Sequence, residues 1–177
     1  KSGKLRPEGA RWQAGSSAVL GAGMMGSGIA YAHAKAKLAT RLNDTELARA
    51  EQGRAYSEAL CDKAVARGRM DAAGKDALLS RITPVTDNAA AGSTDIVIEA
   101  VFEDIELKEK VIAEPWPMLS PDGIYGSNTS TLPISILAQA CPDPSRFIGL
   151  HFFSPVDKMK VVEIIMGEQT SQETLRK

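Results

Sequence analysis

The run Ala18-Val19-Leu20-Gly21-Ala22-Gly23-Met24-Met25-Gly26 limits the fold of this chain more than any other segment. A short apolar stretch passes directly into glycines spaced GxGxxG, and the small-residue run Ser27-Gly28-Ile29-Ala30-Tyr31-Ala32-His33-Ala34 follows. Each glycine serves a separate physical purpose. Gly21 permits a tight turn, Gly23 lets the backbone approach a pyrophosphate, and Gly26 lets the helix lie close on the strand. A helix that starts at such a turn offers free N–H groups and a positive dipole end to phosphate oxygens. GxGxxG alone is weak, but here the strand before it and the helix after it supply the required context. Met24 and Met25 lie inside the turn and belong to the same cofactor-binding set, although their side chains, like that of Phe102, are expected to pack. His33, on the helix, is expected to be structural or exposed.

A second apolar run, 38–42, ends in Asn43-Asp44, which places a carboxylate about 20 residues beyond the glycines, the spacing of a ribose-binding acid. Asp44 favours NAD, because its charge accepts bonds from ribose hydroxyls and repels the extra phosphate of NADP. Arg41 keeps an NADP reading open, and Asp44 could instead cap the next helix. Further strand-length runs at 17–20, 82–85, 95–98, 124–127, 147–151 and 161–165 alternate with helical stretches, the pattern of crossover helices covering a parallel sheet. The expected class is α/β, a Rossmann-type doubly wound, mostly parallel sheet. Helical patterns at 46–67 and 71–79, punctuated by Gly68 and capped by Asp71, predict a helical hairpin inserted after the second strand. Another helix is expected from Asp104 through Ile112, ended by Pro115 and Pro117, and 173–177 reads as a first helical turn.

Net charge is −1 over 177 residues, with both signs interspersed, so nothing marks a nucleic-acid or anionic-membrane partner. No apolar run approaches the roughly 20 residues of a membrane span. The two cysteines, Cys61 and Cys141, have no metal-ligand spacing; free thiols in a reducing, cytoplasmic setting are expected, and no metal site. The expected organisation is a linker over 1–15 and one NAD-binding domain over 16–177.

Two further residues carry chemistry unaided. His151, one of two histidines, follows an apolar strand, where open α/β sheets bind ligands, and an imidazole there can act as a general base; a structural core histidine is the alternative. Glu163 lies in the apolar run 161–165, where a carboxylate needs a partner, His151 being the natural one. An acid at a water-exposed strand edge is the other possibility.

Ser127-Asn128-Thr129-Ser130-Thr131-Leu132-Pro133-Ile134, Ile148-Gly149-Leu150-His151-Phe152-Phe153-Ser154-Pro155-Val156 and Val162-Glu163-Ile164-Ile165 resemble the 3-hydroxyacyl-CoA dehydrogenase family. Ile98-Glu99-Ala100-Val101-Phe102-Glu103 and Ser154-Pro155-Val156-Asp157-Lys158-Met159 look most like the dehydrogenase portion of the multifunctional fatty-acid oxidation α-subunit. The resemblance implies oxidation of (S)-3-hydroxyacyl-CoA to 3-ketoacyl-CoA in β-oxidation, with His151 and Glu163 as the catalytic pair and Ser130 bonding the substrate's 3-oxygen. It places Asn128 beside the nicotinamide and Glu103 and Lys108 on the nearby ribose; periodicity alone would make those last two a solvated helix face. Lys63, Arg67 and Arg69 on the hairpin could meet coenzyme A phosphates, or simply be solvated. The family's C-terminal helical domain, which supplies a further catalytic asparagine, is expected to be absent here, so the fragment should bind NAD and turn over weakly or not at all.

The full-length protein is expected to be a bacterial cytoplasmic oligomer, with a thiolase subunit as a possible partner and the mitochondrial matrix as the alternative location. Two other readings are a free-standing 3-hydroxybutyryl-CoA dehydrogenase and a non-catalytic nucleotide-binding protein of the same ancestry. One departure from the family is Lys37, where a glycine usually ends the first helix.

Overall fold

The computed structural model describes residues 12–87 and 93–177, so the expected linker lies largely outside the described residues. Its strands are β1 (Ser16–Leu20), β2 (Ala39–Asn43), β3 (Ile82–Val85), β4 (Thr94–Glu99), β5 (Leu119–Ser127), β6 (Phe147–Phe152) and β7 (Val162–Ile165). They form one sheet in the order β3-β2-β1-β4-β5-β6-β7. All neighbours pair parallel except β6 and β7, which are antiparallel. The chain winds outward from β1 through β2 and β3, then returns to the other side of β1 as β4. That reversal opens a crevice at the carboxyl ends of β1 and β4, where open α/β sheets bind ligands.

The helices are α1 (Met24–Lys35), α2 (Leu47–Ala66), α3 (Ala72–Leu79), α4 (Ile105–Ala113), α5 (Ile134–Leu137) and α6 (Gln172–Arg176). Successive strand residues point to opposite faces, so β1 divides its side chains between two cores. Val19 joins Ile29, Ala34, Leu42, Leu78 and Ile98 on the side of α1 to α3. Ala18 and Leu20 join Val97, Ile112, Tyr125, Leu137 and Phe147 on the side of α4 and α5. None of the described helices is long and apolar enough to cross a membrane.

The hairpin of α2 and α3 forms as expected. Gly68 takes a left-handed φ of 65° and closes α2 with bonds from its own N–H to Val65 O and from Arg69 N–H to Ala64 O, both 2.9 Å. The Asp71 carboxylate caps α3 by accepting from Gly74 N at 2.7 Å, and Lys75 bridges back to Glu58 at 3.1 Å and Asp62 at 2.5 Å. Helix α4 begins at its Asp104 cap and ends before Pro115, since a proline inside a helix removes a donor and clashes with the preceding turn. Both cysteines are free and buried, and burial raises the Cys141 thiol to about 12.

Candidate functional site

At the glycine turn the backbone, not the side chains, decides the geometry. Gly21 sits at φ 92°, a conformation costly for residues with a Cβ, and its N–H donates to Asn43 O at 2.9 Å. A Cβ on Gly26 would lie 1.7 Å from Gly21 O, so strand and helix can meet here only without one. A Cβ on Gly23 would meet nothing within 4 Å, which leaves open space at the start of α1. Asp44 follows β2 and turns its Oδ2 to Ala22 N at 2.9 Å, while Oδ1 accepts from Thr45 N at 2.8 Å. Its carboxylate therefore braces the glycine turn and does not cap α2, whose cap position is Glu46. The Arg41 guanidinium reaches Thr94 Oγ1 at 3.2 Å, at the amino end of β4 and away from Asp44.

Met24 and Phe102 do not pack: they are 72% and 83% exposed, contrary to expectation, whereas Met25 is partly buried against the core. Both exposed residues stand on the carboxyl edge of the sheet, where the crevice leaves no facing layer to cover them. Ser154 Oγ donates to Met24 Sδ at 3.8 Å, linking the turn to the loop after β6. His33 is buried against Ser17 Oγ at 2.9 Å, and burial lowers its imidazole to about 4.

Register brings His151 and Glu163 together. They are direct partners across the antiparallel β6–β7 pair, with Nδ1 2.9 Å from Glu163 Oε2. An ionised Glu163 fixes the tautomer with hydrogen on Nδ1, which leaves Nε2 as the acceptor; that nitrogen makes no hydrogen bond among the described residues. The run holding Glu163 is not buried: all four residues of β7 are exposed, and Glu163 is 56% so, because β7 is the edge strand. The pairing thus follows from register, not from a carboxylate's need for a partner in a dry interior. Asn128, just past β5, accepts from Phe152 N at 2.9 Å and so lies against the residue after His151.

Ser130 belongs to a loop held by a single carboxylate. Glu103 Oε1 accepts from Ser130 N at 2.9 Å, Thr131 N at 3.1 Å, Thr131 Oγ1 at 3.0 Å and from Thr129 Oγ1. Burial opposes the charge on Glu103, but these bonds and the nearby Lys108 ammonium outweigh it and lower its pKa from 4.5 to about 2. Lys108 is not a solvated helix residue: it is 1% exposed, and its Nζ lies 3.0 and 2.8 Å from the two oxygens of Glu99, itself 0% exposed. An amphipathic helical pattern does not distinguish a paired buried lysine from an exposed one, and Glu99 was legible only as part of a motif.

The basic residues at the end of α2 and in the turn after it converge as well. Lys63, Arg67 and Arg69 line a cleft of about 420 Å³ with Tyr31, Tyr56, Leu60 and, from the loop after β6, Asp157 and Lys158. Tyr56 donates to Asp157 at 3.1 Å, and Val156 packs against Gly28, where a Cβ would come within 2.8 Å, so this loop is pinned onto α1 and α2. Among the described residues no cluster of His, Cys, Asp and Glu could hold a metal ion.

A doubly wound sheet with a GxGxxG turn, a braced acid after β2 and open space at Gly23 defines a dinucleotide-binding domain. Residues 16–177 match the family described as 3-hydroxyacyl-CoA dehydrogenase, NAD binding domain, and the chain belongs to that family. The fold superposes on M. tuberculosis FadB2 with a TM-score of 0.87 at 34% identity, covering 92% of this chain and 58% of that one. It superposes equally, at 0.87 and 36% identity, on the (S)-3-hydroxybutyryl-CoA dehydrogenase PaaH1 from Ralstonia eutropha, covering 92% and 57%. The dehydrogenase part of multifunctional enzyme 1 from C. elegans gives 0.78 at 26% identity, with 93% and 38% covered. The chain thus spans little more than half the length of the first two of these relatives. The cofactor of this domain is NAD, and the residues present fit it: a Cβ on Gly23 would meet nothing within 4 Å, so the backbone is bare at the start of α1, and the Asp44 carboxylate lies against the same turn.

Proposed function

We propose that the chain is the cofactor-binding and proton-transferring part of an (S)-3-hydroxyacyl-CoA dehydrogenase that oxidises 3-hydroxyacyl-CoA to 3-ketoacyl-CoA in fatty-acid β-oxidation. The observation that carries this reading is the cross-strand pair of His151 and Glu163 at 2.9 Å on the carboxyl side of an NAD-binding sheet. When bound, NAD supplies the hydride acceptor. His151 Nε2 takes the proton of the substrate hydroxyl, and the Glu163 carboxylate on Nδ1 stabilises the imidazolium that results. Ser130, whose hydroxyl makes no hydrogen bond among the described residues, donates to the substrate's 3-oxygen, and Asn128 lies beside the nicotinamide. Gly21, Gly23, Met24, Met25 and Gly26 surround the pyrophosphate, and Asp44 takes the adenosine ribose. Glu103 and Lys108 border the nicotinamide ribose through the Glu103 carboxylate.

Lys63 and Arg67, with Arg69 and Lys158, would receive coenzyme A phosphates in the cleft on α2, where four cations face one acid. In this reading 1–15 is a linker, 16–177 is one domain, and the 177-residue chain alone binds NAD while turning over weakly or not at all. The whole protein would be a cytoplasmic, oligomeric, multifunctional hydratase and dehydrogenase α-subunit acting with a thiolase. A free-standing 3-hydroxybutyryl-CoA dehydrogenase is the second reading, favoured by the higher identity to PaaH1, 36% against 26% for the multifunctional relative. A hydratase-like reading frame upstream of Lys1 would decide for the first.

The central test is His151→Ala in the full-length enzyme, with oxidation of 3-hydroxybutyryl-CoA followed through NADH absorbance. General-base catalysis contributes about 10²–10⁴, so kcat should fall by that factor with NAD affinity retained. A loss smaller than about tenfold removes the general-base role of His151.

A further inference from the structure

Four segments that end at the crevice are tied together by one buried acid. Glu99, the last residue of β4, is fully buried, and its carboxylate receives the Lys108 ammonium of α4, the Ser127 hydroxyl at the end of β5 and, at 3.3 Å, the Val101 N–H. Ser127 Oγ in turn accepts from Thr129 N at 3.2 Å. Lys108 passes the connection on, with Nζ 3.4 Å from Glu103 Oε2 and 3.4 Å from Val101 O. Glu103 then holds Thr129, Ser130 and Thr131 through its other oxygen. The chain of contacts therefore runs from a side chain with no water access to the loop that carries Asn128 and Ser130, by two routes.

Stability alone does not account for such a network. Replacing a buried ion pair with apolar residues of similar volume is often neutral or stabilising, so a buried pair with no other role is dispensable to the fold. What apolar residues cannot do is fix the rotamer of a neighbouring carboxylate and aim it at three backbone and hydroxyl donors.

The geometry points to Glu99 and Lys108 as positioning residues that set the conformation of the 128–131 loop, and through it the nicotinamide end of the NAD site. The second clause rests on the proposed placement of Asn128 and Ser130. Neither Glu99 nor Lys108 needs to touch the reacting atoms for this: Glu99 acts through Ser127 and Lys108, and Lys108 through Glu103.

The test is the double variant Glu99→Gln, Lys108→Met, which removes both buried charges together and leaves no unpaired ion in the core. Three readouts are taken: thermal unfolding, hydrogen–deuterium exchange of the peptide spanning 128–132, and calorimetric titration with NAD and with ADP, which lacks both nicotinamide and the ribose attached to it. The expected result is a folded protein whose loop exchanges at least tenfold faster while strand peptides are unchanged, with NAD bound at least fivefold more weakly and ADP bound as before. A folded double variant with wild-type exchange in the loop overturns the positioning role. Faster loop exchange with NAD and ADP weakened equally, or neither weakened, overturns the nicotinamide clause and with it the placement of Asn128 and Ser130, while His151 chemistry is tested separately. If the double variant does not fold, Glu103→Ala decides: this change cuts the Lys108 route, the one that reaches Ser130 and Thr131 directly, without entering the core, and unchanged loop exchange in it overturns the proposal.

Discussion

At the scale of single residues, the glycines of the turn divide into those that build the fold and one that leaves room for the cofactor. Gly26→Ala would place a methyl 1.7 Å from Gly21 O, so the turn must open or the helix must move. The expected outcome is a drop in Tm corresponding to about 1–3 kcal/mol of overpacking and weaker NAD binding. Gly23→Ala meets no atom of the protein, so its Tm should stay within about 2 °C of wild type. Its NAD affinity should still fall roughly tenfold or more, because a methyl fills the space that a backbone-bound pyrophosphate needs. Thermal denaturation and calorimetric titration of both variants check this; an unchanged NAD affinity for Gly23→Ala would place the phosphates elsewhere. Met24 and Phe102 show that apolar residues at the carboxyl edge of the sheet need not be core, since no facing layer covers them there.

At the scale of elements, the ends of α1 and α2 close in the same way with different residues. In α1, Leu38 N–H bonds to His33 O and Lys37 N–H to Ala34 O, both 3.0 Å, the same pair of bonds that Gly68 and Arg69 make at the end of α2. The difference is that Lys37 occupies the left-handed position at φ 72° with a Cβ. That conformation costs a residue other than glycine roughly 1–2 kcal/mol, while glycine gives back part of the gain through the entropy of the unfolded chain. Lys37→Gly should therefore stabilise the protein by about 0.5–1 kcal/mol, seen as a rise of about 1–4 °C in Tm, with NAD binding unchanged because this end of α1 is remote from the turn. A lower Tm would show that the exposed lysine makes a compensating contribution.

At the scale of the whole molecule, acid should unfold this protein in two overlapping steps with separate causes. Buried His33 has its pKa lowered from 6.5 to about 4, so below pH 6.5 the unfolded chain binds a proton that the folded one refuses, and stability falls until about pH 4. The slope from this one group approaches 1.4 kcal/mol per pH unit in the middle of that window. Glu103 has its pKa lowered from 4.5 to about 2; its contribution is present above 4.5 and disappears as pH falls toward 2, when the 129–131 loop loses its acceptor. Urea unfolding of His33→Gln at pH 7 and pH 5 should show a smaller loss of stability on acidification than wild type, and an equal loss would assign the step to another group.

The strand-length apolar runs placed all seven strands, six of them to within one residue at each end and β5 only in its second half, since 119–123 holds Pro121, Asp122 and Gly123. The spacing of Gly21, Gly23, Gly26 and Asp44 marked the dinucleotide turn. Both signals are local and survive without knowledge of the fold. Tertiary structure alone decided strand order and register, and therefore that His151 faces Glu163 across β6 and β7, that Glu163 is at an exposed edge, and that Arg41 points away from Asp44. It also decided which charges are buried, since Lys108 and Lys110 look alike along a helix and only the side that meets Glu99 loses its water. Local spacing determines what conformation a segment can adopt; which residues meet across the sheet depends on contacts between segments far apart in the chain.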